Sequence, residues 1–300
     1  MSQPLISVVV PTRNRADSLA RAVSSVLAQT YRNFELLIVD DASGEEAGEI
    51  LSRIAASDGR IRVLRNPVAL GGAGARNVGI SSSRGSWIAF LDDDDEWASS
   101  KLEYQLAAMC ANRNAVACSC SYVRHSALGI KSLVKVPDGL SLSQLLRGNV
   151  LGGASMCFCL SDVIKEIGGF DARFKSAQDW DLWVRLRKKG NIVSRSEPLV
   201  RYQAHNGARI SNNMQSQYLG ARRFYFKHRQ QMDKPLRRHR VSSICFFMSR
   251  QTGRDMGHRI RYLAMAAKYS SLPVALSYVK SSLPRMIRDA AFGVFRHLGQ

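Results

Sequence analysis

The sequence contains no run of about 18 apolar residues, the minimum that a membrane-spanning helix requires. Its six cysteines include two C-x-C pairs, Cys118/Cys120 and Cys157/Cys159, but none has the C-x-x-C spacing of a zinc site. We therefore expect small buried thiols. The N-terminal residues lack a basic segment followed by a cleavage site, so we predict no secretory signal peptide and a cytoplasmic location.

Acidic residues are scarce in the last third of the chain. Residues 201–300 hold 19 Lys or Arg against 3 Asp or Glu, whereas residues 1–100 hold 10 basic and 13 acidic residues. The whole chain carries a formal net charge of +19. A basic surface favours nucleic acid, anionic lipid or phosphorylated ligands. No nucleic-acid-reading motif is present, and we expect no nucleic-acid partner.

Short apolar strands alternate with amphipathic helices through the first hundred residues. The pattern predicts strands at 5–10, 34–39, 61–64 and 87–91, and helices at 16–29 and 45–57. It also predicts a flexible glycine turn at 71–74 that leads into a helix ending at about residue 82. Such alternation is typical of an α/β fold, a Rossmann-like and mostly parallel sheet flanked by helices. The later pattern predicts helices at 99–111, 161–167 and 179–189, strands at 115–123 and 151–160, a last strand and loop over 200–211, and an irregular segment at 125–145. We predict one domain over 1–214 and a basic helical C-terminal region over 215–300.

Acidic residues follow two of the predicted strands. Asp40 and Asp41 end the second strand, and the run Asp92–Asp95 ends the fourth. Ligands of parallel α/β sheets bind beyond the carboxyl ends of the strands, and Mg²⁺ and Mn²⁺ prefer carboxylate oxygens. The run therefore predicts a metal that also binds a diphosphate. The alternatives are a solvated acidic loop and, for Asp41, helix capping.

Two further segments carry candidate residues. The glycine-rich turn 71–74 precedes Arg76 and predicts a helix N-terminus able to bind phosphate, although it is neither a P-loop nor a dinucleotide motif. Asp179 begins an amphipathic helix beside Trp180 and Trp183, where apolar surroundings would raise its pKa towards that of a general base. A cap or helix-dipole role is the alternative for Asp179.

The ordered motifs resemble those of the family 2 inverting glycosyltransferases with the GT-A fold. They are, in order, Pro11-Thr12-Arg13-Asn14-Arg15, Val39-Asp40-Asp41-Ala42-Ser43, Gly74-Ala75-Arg76-Asn77, Phe90-Leu91-Asp92-Asp93-Asp94-Asp95 and Gln178-Asp179-Trp180-Asp181. The match covers about residues 4–211. Five motifs in order are far more specific than any one of them.

The resemblance implies a set of roles. Asp179 would be the catalytic base, and Asp92 and Asp94 would bind Mn²⁺ or Mg²⁺. The donor, a nucleotide-diphospho-sugar with UDP as the family-weighted nucleotide, would be held by the residues Pro11, Arg13, Asp40, Asp41, Arg76, Asp92, Asp93 and His205. The acceptor would be a saccharide or a lipid-linked saccharide of the kind used in cell-surface polysaccharide or glycolipid synthesis.

The sequence departs from the family pattern at two positions. Gln178 stands where the family commonly has Glu, which we expect to change the orientation or pKa of Asp179 without abolishing the chemistry. Asp93 adds one acid to the run, so the register of the metal ligands stays open by one position. Two other functions also remain open: a sugar nucleotidyltransferase, and a catalytically inactive partner protein that binds nucleotide sugars or docks on a membrane.

Basic and aromatic residues interleave in the C-terminal region. The segment 222–240 reads RRFYFKHRQQMDKPLRRHR, and 254–268 places further Arg and Lys around apolar residues. This pattern is typical of interfacial helices on an anionic membrane, here the inner face of the cell membrane. The alternative is a solvated basic face packed on the core.

Overall fold

The computed structural model describes residues 3–125, 129–203, 213–250 and 256–269. The chain divides into two compact units: Met1–Arg173 with Gln178–Asn206, and Phe174–Ala177 with Gly207–Gln300. The predicted domain boundary between residues 214 and 215 stays a prediction. Among the described helices, none combines the length and the apolar character needed to cross a bilayer.

The first unit begins with the predicted alternation of strands and helices. Its elements are β1 (Ile6–Thr12), α1 (Ala16–Leu27), β2 (Phe34–Asp40), α2 (Glu45–Ala56), β3 (Ile61–Arg65), α3 (Gly71–Ser82) and β4 (Trp87–Phe90). Every residue of β2 is buried, as expected of a central strand in a parallel sheet covered on both faces. In α1, Leu19, Ala22, Val23 and Val26 form the buried stripe that the 3.6-residue period predicts.

The rest of this unit extends the sheet with both parallel and antiparallel strands. Its elements are β5 (Glu96–Trp97), α4 (Lys101–Cys110), β6 (Ala115–His125), β7 (Lys131–Val134), α5 (Leu142–Arg147), β8 (Phe158–Leu160), α6 (Ser161–Glu166), α7 (Gln178–Arg187) and β9 (Asn191–Gln203). The strand order is β3-β2-β1-β4-β8-β6-β9-β5, with β7 paired to β6. Strands β1 to β4 run parallel, whereas β8 runs antiparallel to β4 and β6.

Four of the predicted elements are wrong in type or extent. The glycines at 71–74 do not form a flexible turn before a helix, because α3 already begins at Gly71. The segment 125–145 is not irregular, because it includes β7 and the start of α5, whose N-cap Ser141 forms a capping box with Gln144. The predicted strand 151–160 shortens to β8, because Ala154–Met156 forms a 3-10 turn after Gly152, which has a φ of +86°. The strand predicted from residue 200 begins at Asn191.

Five of the six cysteines confirm the prediction of small buried thiols, and for Cys110 the prediction is wrong. Cys118 and Cys120 on β6, together with Cys157, Cys159 and Cys245, are buried free thiols, whereas Cys110 is exposed. Cys118 and Cys120 belong to the main core cluster, packed with strands β1 and β2 and helix α1.

The described part of the second unit includes α8 (Met214–His228), a 3-10 turn (Arg229–Gln231), α9 (Lys234–Ser249) and α10 (Met256–Lys268). Side chains cap the first two helices, since Asn213 accepts a hydrogen bond from the Ser216 N–H and Asp233 accepts one from the Leu236 N–H. Helix α9 packs against both of the others. Phe224, fully buried on α8, contacts the Arg240 guanidinium of α9.

Candidate active site

Parallel pairing brings three of the five motifs, those that follow β1, β2 and β4, to one edge of the sheet. Thr12 at the end of β1 lies opposite Asp40 at the end of β2, and the Leu91 N–H beyond β4 donates to the Val9 carbonyl. The carboxyl ends of these strands therefore share one edge, where α/β proteins bind their ligands.

The two acids after β2 have different surroundings. Asp40 is fully buried; its Oδ1 accepts the Ser43 N–H at 3.1 Å, and its Oδ2 faces Arg65 Nε at 3.4 Å. Asp41 accepts hydrogen bonds from Asn66 Nδ2 at 2.9 Å and from the N–H groups of Leu70 and Gly71 at 2.8 Å. Asp41 thus shapes the loop that enters α3. It does not cap α2, the helix that follows it, because the N-cap residue of α2 is Gly44 and no side chain caps that end.

Pro11 and Arg13 flank the same edge. Pro11 lies in β1 opposite Val39, and Arg13 is exposed just beyond the strand. Asn14 adopts a φ of +52° and exchanges hydrogen bonds with the loop after β2, since its N–H donates to Ser43 Oγ and its Oδ1 accepts the Gly44 N–H. A left-handed conformation is common for Asn, and here it joins the loops after β1 and β2.

The four aspartates beyond β4 point in two directions. Oxygens of Asp92, Asp94 and Asp95 lie within 4.8 Å of one another, which makes these three the candidate metal-binding group. Asp93 turns towards β1, where Thr12 Oγ1 donates to it at 2.9 Å and Arg15 pairs with it at 3.0 Å. Burial raises the pKa of Asp93, while Arg15 opposes the shift.

Arg15 also reaches the metal-binding group, since its Nη1 lies 3.3 Å from Asp94 Oδ2. Asp95 is buried and accepts the Ser155 hydroxyl at 2.6 Å and the Gln203 N–H at 3.1 Å. Burial raises the pKa of Asp95 well above its usual range, and Asp92 and Asp94 act in the same direction. A divalent cation among these carboxylates would offset that repulsion, and carboxylate oxygens suit Mg²⁺ or Mn²⁺.

Arg76 is a buried cation beside the acidic group. Its Nη2 pairs with Asp92 Oδ1, and its guanidinium lies 5.2 Å from the centre of the Phe170 ring. A Cβ at Gly72 would lie 3.2 Å from Arg76 Nη1, so the glycine leaves room for the guanidinium on the first turn of α3. Asn77 fixes Phe170 from the same helix, because its amide exchanges hydrogen bonds with the Phe170 N–H and carbonyl.

Asp179 lies in the first turn of α7, close to this cation. The residue is half-buried, but its Oδ1 is inaccessible to solvent and has no hydrogen-bond partner among the described residues. Burial raises the pKa of Asp179 to about 6; Arg76 opposes the shift and Asp92 adds to it. A carboxylate with a pKa near 6 is ionised at neutral pH and remains basic enough to accept a proton.

Tryptophans hold the start of α7. Trp180 Nε1 donates to the Leu145 carbonyl at 2.5 Å, and Trp183 Nε1 donates to the Gly152 carbonyl at 2.9 Å. A Cβ at Gly153 would lie 3.7 Å from Asp179 Oδ2, so the 152–156 turn lies directly beside the candidate base.

Some site residues fall outside the prediction or outside the described structure. His205 lies outside the described residues. Asp95, Arg15 and Ser155 belong to the site in the structure but were not singled out from the sequence. Asp95 belongs to the acidic run and could have been proposed as a third metal ligand beside Asp92 and Asp94. Ser155 has no sequence pattern that would identify it.

The chain is similar in sequence to known proteins of one family. The profile of Glycosyl transferase family 2 matches residues 7–165. The Escherichia coli UDP-Glc:alpha-D-GlcNAc-diphosphoundecaprenol beta-1,3-glucosyltransferase WfgD is 34% identical over 197 residues, which cover 64% of this chain and 73% of WfgD.

Solved structures share the fold at low identity. S. aureus TarS 1–349 in complex with UDP-GlcNAc has a TM-score of 0.66 at 15% identity, covering 91% of this chain and 83% of TarS 1–349. The mannosyltransferase PcManGT from Pyrobaculum calidifontis, in complex with GDP-Man and Mn²⁺, has a TM-score of 0.62 at 18% identity, covering 99% and 84%. The sheet and its flanking helices therefore form a GT-A fold.

Proposed function

Because the chain belongs to glycosyl transferase family 2, we propose that it moves a sugar from a nucleotide-diphosphate donor to an acceptor hydroxyl with inversion at the anomeric carbon. One observation carries the proposal: a half-buried carboxylate, Asp179, lies beside the Arg76–Asp92 ion pair at the sheet edge that also carries the acidic run. The proposed base and the residues proposed to hold the diphosphate would therefore face the same bound donor.

The donor would bind at the ends of β1 and β2. Asp40 and Asp41 would face the nucleoside, with Pro11 alongside, and Arg13 and Arg76 would lie near its phosphates. Asp93 and His205 complete the donor residues of the proposal. UDP is the nucleotide we favour, because the fold neighbour TarS is described in complex with UDP-GlcNAc.

The metal would be Mn²⁺ or Mg²⁺, held by Asp94 and Asp92. The clustering of these oxygens with Asp95, within 4.8 Å, supports the assignment, and the mannosyltransferase neighbour is described with Mn²⁺. When bound, such an ion stabilises the negative charge on the departing nucleoside diphosphate.

Asp179 would act as the single catalytic base. Its carboxylate accepts the proton of the acceptor hydroxyl while that oxygen forms the new bond to the anomeric carbon and the bond to the diphosphate breaks. Attack occurs on the face opposite the leaving group, so one displacement inverts the anomer without a covalent enzyme intermediate. The raised pKa of Asp179 supports this role, because a carboxylate with a pKa of about 6 is ionised at neutral pH and still basic enough to accept the proton.

The acceptor would be a saccharide or a lipid-linked saccharide used in surface polysaccharide synthesis. The name of the relative WfgD supports this, because it specifies a sugar linked to diphosphoundecaprenol. We further propose that residues 1–214 form the transferase domain and that the basic region 215–300 docks on the anionic inner face of the cell membrane.

The membrane proposal is supported by one face of α8. Leu219, Arg222 and Phe226 on α8 recur at helical spacing with Arg229, the C-cap residue directly after the helix, and all four are exposed. We term this set the α8 stripe. Phe226 is 53% exposed, and the guanidinium groups of Arg222 and Arg229 lie 5.7 and 5.3 Å from its ring centre. An apolar ring between two cations suits an anionic bilayer surface, where the ring enters the headgroup layer and the cations meet phosphates.

The first experiment is a calorimetric titration of UDP with and without Mn²⁺, on the wild type and on Asp94→Ala. We expect Mn²⁺ to tighten UDP binding in the wild type and to have little effect in Asp94→Ala. Glu49→Ala, which removes an exposed acid of α2, is the matched control and should behave as the wild type.

Turnover then separates an enzyme from an inactive binding protein. UDP-sugars that bind would be offered with saccharide and lipid-linked acceptors, and the product anomer read by proton NMR. A product with retained configuration would reject the single-displacement mechanism. Binding without turnover of any donor would favour the inactive partner, and absence of UDP binding would redirect the search to other nucleotides.

A further inference from the structure

Ser155 joins the acidic run to the turn beside the catalytic base. Its side chain is fully buried in the 3-10 turn Ala154–Met156. Its Oγ accepts the Asp92 N–H at 3.1 Å and donates to Asp95 Oδ2 at 2.6 Å. One hydroxyl thus contacts the first and the last aspartate of the run.

The direction of these two hydrogen bonds follows from their chemistry. A serine hydroxyl has a single proton, and a backbone N–H can only donate, so the Ser155 proton goes to the Asp95 carboxylate. The hydroxyl therefore holds one oxygen of Asp95 and fixes the backbone at Asp92, the two members of the candidate metal-binding group other than Asp94.

The turn that carries Ser155 is itself held firmly. The Ser155 carbonyl accepts the indole N–H of buried Trp97 at 3.0 Å, and the Met156 carbonyl accepts Gln105 Nε2 at 2.9 Å. Gln105 in turn accepts a hydrogen bond from fully buried Lys101 at 2.6 Å. These hydrogen bonds from Trp97 and from Gln105 of α4 restrain the turn, and with it the position of the Ser155 hydroxyl.

We propose that Ser155 is a positioning residue that holds Asp95 and Asp92 in the geometry that a divalent cation requires, and that Asp95 is the third carboxylate of that site. The inference rests on the proposed function, because it takes the acidic run to be a metal site. Partners that orient metal-binding side chains typically contribute about 10–100-fold in metal affinity.

The chain offers a close control. Ser7 is also fully buried, and its hydroxyl donates to a carboxylate, Glu35, at 2.7 Å and accepts a backbone N–H, that of Gly85, at 2.9 Å. Ser7 lies in the first half of β1, away from the strand ends that carry the aspartates. Ser7→Ala and Ser155→Ala each remove one hydrogen bond to a carboxylate and one from a backbone N–H, but Ser7→Ala leaves the contacts of the acidic run intact.

The test is a calorimetric titration of Mn²⁺ into the full chain, first alone and then with saturating UDP, on the wild type, Ser155→Ala, Asp95→Asn and Ser7→Ala. Urea unfolding midpoints of the same proteins show how much stability each variant loses. We expect Ser155→Ala to weaken Mn²⁺ binding about tenfold or more and Asp95→Asn to weaken it further. Ser7→Ala should lose comparable stability and keep wild-type Mn²⁺ affinity.

The outcomes distinguish the two levels of the proposal. Wild-type protein that binds no Mn²⁺ under either condition would overturn the metal site and the role of Ser155 together. Wild-type binding that stays within twofold in Ser155→Ala would overturn the positioning role alone and leave the metal site standing. An equal loss in Ser7→Ala and Ser155→Ala would also overturn it, since the effect would then follow general loosening of the fold.

Discussion

Two opposing effects set the pKa of the Asp179 carboxyl. Burial raises the pKa of its carboxyl to about 6, while the Arg76 guanidinium keeps it from rising further. The proposed base must be ionised to accept a proton, so activity is present above this pKa and is lost as the pH falls through it. We predict that kcat/KM declines tenfold per pH unit below about pH 6.

The pH profile needs two variants to be assigned to this carboxyl. Asp179→Asn should lower turnover by about 10²–10⁴-fold and keep UDP affinity close to that of the wild type. Asp162→Asn removes an exposed acid on α6 and should leave the acidic limb in place. An acidic limb that persists in the residual activity of Asp179→Asn would assign it to another group.

Lys101 is a fully buried amine with an unusual pH dependence. Burial lowers its pKa to about 8, and the nearby thiols Cys120, Cys118 and Cys157 oppose that shift. Between pH 8 and the unfolded pKa of about 10.4, the unfolded chain binds a proton that the folded chain has lost, so this group makes stability rise with pH there. Its charged form destabilises the fold below about pH 8.

We predict that Lys101→Met removes this rise. From pH 8 to pH 10, the unfolding free energy of the wild type should rise relative to that of the variant by on the order of 2–3 kcal/mol, because only the wild type carries the buried amine. Urea unfolding of both proteins across this range measures it, and ionisation of the other groups largely cancels in the comparison. Parallel stability curves for the two proteins would contradict the prediction.

At the scale of elements, the glycines of α3 allow close packing on the sheet. A Cβ at Gly79 would lie 2.3 Å from Val9 Cγ1 on β1, a β-branched side chain that cannot move aside within a buried strand. We predict that Gly79→Ala destabilises the fold by about 1–3 kcal/mol in urea unfolding, since overpacking outweighs the gain in helix propensity.

Gly48 in α2 is the matched helical control. A Cβ there would meet only Arg65 Nη1 at 3.5 Å, an ordinary contact. Gly48→Ala should therefore stabilise the fold by about 0.5–1 kcal/mol through helix propensity alone. If both variants shift stability in the same direction, packing against Val9 does not decide the effect at Gly79.

The sequence pattern predicts the elements that obey a simple period and misses those that depend on distant partners. Strand β2 and helix α1 follow from apolar runs and 3.6-residue spacing, and both lie within two residues of their predicted bounds. The turn before β8 could not be predicted, because its apolar residues face into the core from a 3-10 turn. Strand β7 is mostly exposed, so it carries no apolar pattern to detect.

The candidate site was predicted in its position but not in its internal bonding. Strand-end placement brought Asp40, Asp92 and their neighbours to one edge, as expected from a parallel sheet. Which aspartates belong to the candidate metal-binding group depends on partners far away in sequence. Thr12 donates a hydrogen bond to Asp93 on the side of β1, and Ser155 donates one to Asp95. A single sequence contains no local pattern from which such long-range pairs can be read.

At the scale of the whole molecule, charge is divided unevenly along the chain. Residues 201–300 carry 19 of the 43 basic residues and 3 of the 24 acidic ones. The acidic run, in contrast, lies in the first hundred residues, where acids outnumber bases. An anionic surface would therefore attract the C-terminal region and repel the acidic part of the metal group, which favours docking through the second unit.

The α8 stripe gives this argument a direct test. We predict that the full chain co-sediments with vesicles of phosphatidylcholine plus phosphatidylglycerol, binds phosphatidylcholine alone weakly, and dissociates as NaCl is raised. Each basic residue near an anionic surface contributes about 1 kcal/mol, so Arg222→Gln with Arg229→Gln should weaken binding roughly tenfold or more. Phe226→Ser should weaken it further, and its loss should depend little on salt because the ring contributes apolar burial.

A control of equal charge separates a specific surface from net charge. Arg53→Gln with Arg113→Gln also removes two exposed cations, but from the first unit. If the α8 stripe makes the contact, the control pair keeps most of the vesicle affinity. If both pairs lose the same affinity, general positive charge attracts the membrane and the stripe has no special part. If neither pair changes binding, a different surface of the chain meets the lipid, because removing two cations from a contacting face must weaken its attraction to anionic headgroups.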